Sequence, residues 1–86
     1  QLVYEVPASL KPALLIHLLR DPSFDSVLVF TRTKHGADRI AKRLGAAQIT
    51  TATLHSNRSQ NQRLNALKAF KSGEVRVLVA TDIAAR

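Results

Sequence analysis

Val27-Leu28-Val29-Phe30-Thr31 has no polar side chain before its last position, and Val77-Leu78-Val79-Ala80-Thr81 repeats the pattern near the other end. A strand with one wet face alternates apolar and polar residues, whereas a strand covered on both faces is apolar throughout. Both stretches therefore read as inner strands of a sheet with helices on both faces. Between them, Ala37, Ile40, Ala41 and Leu44 recur at i, i+3, i+4 and i+7 and predict a helix over Lys34–Leu44, with Gly45 as the residue that ends it. Ile49–Leu54 is rich in β-branched residues and predicts a strand. Ser59 and Gln62 have capping-box spacing at the head of a helix running to about Lys71, with Leu64, Leu67 and Phe70 as its buried side and Gly73 as its stop. Upstream, Leu2–Val6 reads as a strand ending at Pro7. A helix follows with Pro12 in its first turn and Leu14, Leu15, Leu18 and Leu19 as its stripe, halted by Asp21-Pro22.

The order is β-α-β-α-β-α-β. Such alternation predicts an α/β domain with a parallel sheet and right-handed crossovers. The order of the strands within the sheet is not written in this pattern. Parallel strands leave unpaired edges where neighbours are missing, so marginal stability is expected, with Val77–Ala80 inadequately covered if its later partners are absent.

The 86 residues bound the chain at one small domain. Hydrophobic residues make up 45% and charged residues 22%, the balance of a globular chain rather than a disordered one. No apolar run approaches the ~20 residues of a membrane helix, and no basic-then-apolar signal peptide opens the chain. With no cysteine there is no disulfide framework, thiolate zinc site or cysteine nucleophile. There is no methionine either, and the first residue is Gln1, so a processed protein or a piece of a longer one is expected. Thirteen Lys and Arg against six Asp and Glu give a net charge of +7. That field attracts polyanions, nucleic acid first among them, although charge alone does not separate such a partner from solvated helix faces.

Ligands of open parallel sheets bind beyond the carboxyl ends of the strands. That rule selects Thr31-Arg32-Thr33, His55-Ser56-Asn57-Arg58 and Thr81-Asp82. All carry hydroxyl, amide or guanidinium groups, and two lead into helix N-termini, where free N–H groups favour an anion such as phosphate. Arg63, one turn into the helix capped by Ser59, shares a face with Gln60 and can clamp a phosphate or a carboxylate with two parallel bonds. Asp82 ends a hydrophobic strand as a magnesium-binding acid of a nucleotide hydrolase does. That role needs a G-x-x-x-x-G-K-[ST] loop, and none of Gly36, Gly45 and Gly73 is followed by Lys-Ser or Lys-Thr. A structural hydrogen bond or ion pair is the plainer expectation for Asp82, and likewise for His55. None of His17, His35 and His55 has metal-site spacing.

Three ordered stretches resemble one family. Val27–Lys34 resembles motif IV of DEAD-box RNA helicases, Gln60-Asn61-Gln62-Arg63 their Q-x-x-R motif, and Val77–Arg86 the first part of their motif V. Leu2–Arg20 is similar to the start of the second RecA-like domain, and Lys34-His35-Gly36-Ala37 most resembles the bacterial branch. The resemblance implies a partial RecA-like domain over 1–86 from an ATP-dependent enzyme that separates RNA duplexes, with ATP and Mg2+ as cofactors held mainly elsewhere. It implies RNA and a first RecA-like domain as partners, no membrane, and a cytoplasmic location. Thr31, Arg32, Thr33, Ser56, Arg63 and Thr81 are implied to lie along the RNA backbone. Phe30 is implied to pack under a motif VI arginine, and Gln60, Asp82 and Arg86 to couple the RNA side to the interdomain cleft. Lacking a phosphate loop, the 86 residues alone are expected to be catalytically inactive.

Two departures bear on this. Ser56 stands where the family has glycine, whose missing Cβ lets a phosphate approach the backbone. The Gly-x-Asp that completes motif V is absent, as is motif VI. Two alternatives stay open at this stage: a non-catalytic RNA-binding or interaction module, and a flavodoxin-like domain for a small molecule. A related DNA-unwinding helicase is a nearer variant of the main reading.

Overall fold

The apolar stretches at Val27 and Val77 lie side by side. A computed structural model of the chain describes residues 4–7, 12–55 and 59–81. It contains β1 (Tyr4–Pro7), α1 (Pro12–Leu19), β2 (Val27–Thr31), α2 (Lys34–Ala46), β3 (Thr51–Leu54), α3 (Gln60–Lys71) and β4 (Val77–Thr81). The four strands form one parallel sheet in the order β1-β2-β4-β3. Val27 is opposite Val77 and Thr31 opposite Thr81, so β2 and β4 end level. Pro7 closes β1, an edge strand, where a missing N–H is tolerated.

Alternate β4 side chains feed two cores. Val77 and Val79 join Val27 and Val29 beneath Leu15 and Leu19 of α1 and Ala37, Ile40 and Leu44 of α2. Leu78 and Ala80 face the other way, onto Leu54 of β3 and Ala66 and Phe70 of α3. The fold is thus α/β with helices on both sheet faces. The expectation that Val77–Ala80 is poorly covered is corrected: every residue of β4 is buried, because β4 lies between β2 and β3 with helices on both sides. Leu28 and Phe30 of β2 are the half-buried ones.

Helix ends account for other differences. Gly45 does not end α2; the helix continues to Ala46 with Ala47 as C-cap. Gln48 takes the left-handed position at φ 63°. Its N–H donates to the Gly45 carbonyl and that of Ile49 to the Leu44 carbonyl, both at 3.0 Å. This is the Schellman pattern, and Leu44 and Ile49 share the core beneath it. Ile49 therefore belongs to the helix stop and β3 begins only at Thr51. Gly73, at φ +83°, follows α3 as expected. Two predicted core leucines are corrected: Leu14 and Leu64 are 47% and 51% exposed. On α3 the inward residues are Ala66, Leu67 and Phe70, and Leu64 falls outside that arc.

Arg76 ties the opposite end of the sheet. Its Nη2 donates to the Leu19 carbonyl at 2.7 Å and the Phe24 carbonyl at 2.9 Å, joining the end of α1 to the turn before β2. In that turn the Ser23 backbone N–H and then its hydroxyl donate to Asp21 Oδ1, holding the exposed Asp21 carboxyl below its ordinary pKa. Among the described residues no helix is long and apolar enough to cross a membrane.

Candidate nucleic-acid interface

The level ends of β2 and β4 set one polar edge. Thr31 and Thr81, opposite one another in register, close these strands and are both buried, at 4% and 6% exposure. The Thr31 hydroxyl donates to the Thr33 carbonyl at 2.9 Å, so it shapes the loop between β2 and α2. Thr33 then caps α2, its Oγ1 accepting from the Gly36 N–H at 3.0 Å. A Cβ at Gly36 would stand 3.1 Å from that same oxygen, so the glycine gives the cap room. Arg32 and Thr33 are exposed on this loop. An exposed guanidinium beside a capped helix N-terminus is suited to an anion.

On the other face, α3 begins at the same edge, since it follows the loop that leaves β3. Its capping box is complete: Ser59 Oγ accepts from the Gln62 N–H at 3.1 Å, and the Ser59 N–H donates to Gln62 Oε1 at 2.9 Å. The box sets the direction of the first turn, on which Gln60 is exposed and Arg63 half-buried. Phe30, half-buried, lies on the α3 side of β2 by alternation with Val29.

The expected site residues thus fall into two groups. Thr31, Arg32, Thr33, Gln60, Arg63 and Thr81 gather at the strand-end edge, with Phe30 one step inside it. Ser56, Asp82 and Arg86 lie outside the described residues. The hydrogen bond expected of His55 is present: its ring is buried and Nε2 lies 3.0 Å from Asp38 Oδ1. Asp38 carried no signal in the sequence, because its partner is 17 residues away and meets it only once α2 packs on the sheet. Among the described residues no three His, Cys, Asp or Glu side chains come together as a metal site.

The family described as helicase conserved C-terminal domain matches residues 10–86. The chain is 44% identical over 86 residues to the ATP-dependent rRNA helicase RRP3 of Kluyveromyces lactis, covering 100% of this chain and 18% of that protein. It is 41% identical over 86 residues to the ATP-dependent RNA helicase vasa of Drosophila melanogaster, covering all of this chain and 13% of that protein. Among solved structures it superposes on the E. coli DEAD-box protein SrmB, bound there to regulator of ribonuclease activity A, with TM-score 0.82 and 38% identity. That match covers 98% of this chain and 50% of that one. The fold is therefore that of the RecA-like C-terminal domain in DEAD-box structures. The bacterial-branch reading of Lys34-His35-Gly36-Ala37 is not supported, since these curated relatives are eukaryotic. Those four residues form the first turn of a capped helix, and the cap constrains them locally whatever the lineage.

Proposed function

The chain belongs to the helicase conserved C-terminal domain family, and from that premise we propose that it is the RNA-gripping part of the second RecA-like domain of an ATP-dependent DEAD-box RNA helicase. The chain spans about a fifth of the RRP3 relative's length, 18%, so helicase activity, ATP with Mg2+, and closure against a first RecA-like domain are proposed for the parent. One observation carries the reading. The loops after β2 and β3 leave the same sheet edge, and there Arg32, Thr33, Gln60 and Arg63 are offered beside two helix N-termini.

In this reading Arg32, Thr33 and Arg63 meet phosphate oxygens, and Ser56, outside the described residues, is assigned the same role. Thr31 and Thr81 form the floor, and their contribution is backbone geometry rather than an exposed hydroxyl. Phosphate and sugar contacts fix register without reading sequence, so recognition is sequence-tolerant and salt-sensitive. Phe30, Gln60, Asp82 and Arg86 are the residues through which strand grip is coupled to the other domain. ATP, when bound to the parent, supplies phosphoanhydride hydrolysis. The sequence here holds no phosphate-cradling loop, so no step of that chemistry is assigned to these residues.

The test is titration of the chain with a labelled single-stranded oligoribonucleotide at several salt concentrations. The logarithm of the binding constant is expected to fall linearly with log salt, by about 0.7 per phosphate contact. Arg63→Ala should lower affinity and remove about one such contact from the slope. Binding indifferent to salt and to Arg63→Ala would count against RNA and for a small-molecule domain. No RNA-stimulated ATP turnover is expected from the 86 residues alone. Supplying a helicase first domain and the remaining motifs should restore it, and RNA binding without such rescue would favour a non-catalytic module.

A further inference from the structure

We infer that Asp38 and His55 are a positioning pair that fixes the end of β3, from which one loop of the candidate RNA edge departs, relative to α2, which follows the other. The inference rests on the RNA-facing reading above for its purpose, but not for its geometry. β2 and β3 are not neighbours, because β4 lies between them. The β2–β4 ladder runs to Thr31 opposite Thr81, whereas the β3–β4 ladder stops one step earlier, at Leu54 opposite Ala80. His55 is thus the first residue past the β3–β4 ladder. Its side chain reaches across to α2. The ring is buried, 4% exposed, and Nε2 meets Asp38 Oδ1 at 3.0 Å.

Asp38 stands on α2, the element that starts from the Thr33 cap of the other loop. A carboxylate only accepts, so the ring nitrogen donates. The contact spans from the helix that begins the first loop's far side to the residue that begins the second loop. The Thr31–Thr33 and Thr33–Gly36 hydrogen bonds fix the first loop internally, and the pair holds His55, where β3 ends, against the helix that follows that loop. Phosphates along a strand have fixed spacing, and a grip made by two loops depends on theirs.

The sign of one substitution separates this from plain electrostatics. Removing a negative charge beside a polyanion site should raise RNA affinity if charge is all that Asp38 supplies. As a positioning residue, Asp38→Ala should instead weaken oligoribonucleotide binding about tenfold, with the salt slope retained. Asp38→Asn, whose amide oxygen still accepts from Nε2, should recover most of the affinity. Combining Asp38→Ala with His55→Phe should be no worse than the more damaging single change, because both remove the same contact. Amide exchange reads the geometry without RNA: Asp38→Ala should speed exchange at Gly36 and Ala37, whose N–H groups donate to Thr33 at the start of α2, about tenfold and leave Val77–Ala80 unchanged. Unaltered exchange, or affinity that stays or rises in Asp38→Ala, overturns the pair. If the unaltered chain binds no RNA while exchange responds as stated, the RNA reading fails and the pair stands as a geometric device.

Discussion

Gln48 sits at φ 63°, a conformation that costs a residue with a Cβ about 1–2 kcal/mol and glycine almost nothing. Gln48→Gly should therefore raise stability by about 0.5–1 kcal/mol, read as a higher melting temperature. Gly45, one turn earlier and with open space around its Cα, should move the same way as Gly45→Ala, since alanine favours helix. The sequence suggested the reverse assignment, with Gly45 as the stop. Leu44 and Ile49 decide otherwise, because their burial together sets where the chain must turn. Arg76 is the residue whose truncation should hurt most at the far end of the sheet. Arg76→Ala leaves the Leu19 and Phe24 carbonyls without its guanidinium, and we expect a loss of about 2–3 kcal/mol by urea unfolding.

At the scale of elements, α3 is where sequence and structure agree most closely in its ends and least in its face. The capping box at Ser59 and Gln62 is local, and local chemistry is legible from spacing alone. Ser59→Ala should cost about 1 kcal/mol, with faster amide exchange confined to the first turn of α3. The same change should weaken RNA binding, since Arg63 stands on that turn. The buried face is another matter. Periodicity marks Leu64 as the inward residue beside Leu67 and Phe70, and only packing against β3 and β4 puts Ala66 there instead. Leu64→Lys should accordingly change stability by no more than about 0.5 kcal/mol, whereas Leu44→Ala, in the fully buried row of α2, should cost about 2–5 kcal/mol.

The whole molecule carries a net charge of +7, and salt should act on it in two opposed ways. Screening relieves self-repulsion, so the melting temperature should rise between low and physiological salt, while the proposed RNA binding should weaken by counterion competition. Calorimetry and binding titration on one preparation test both signs. At this scale the sequence by itself determined the alternation of strands and helices, the inner position of β2 and β4 with helices on both faces of the sheet, and the edge where ligand groups collect. Those features follow from the side-chain period and from the direction of parallel strands, which are local. Tertiary structure alone decided that β4 lies between β2 and β3, and so that it is the best-covered strand rather than the weakest. It also decided that Asp38 meets His55 and that Arg76 reaches back to α1. Each of these joins residues far apart in sequence, and such contacts exist only after the helices have packed on a particular strand order.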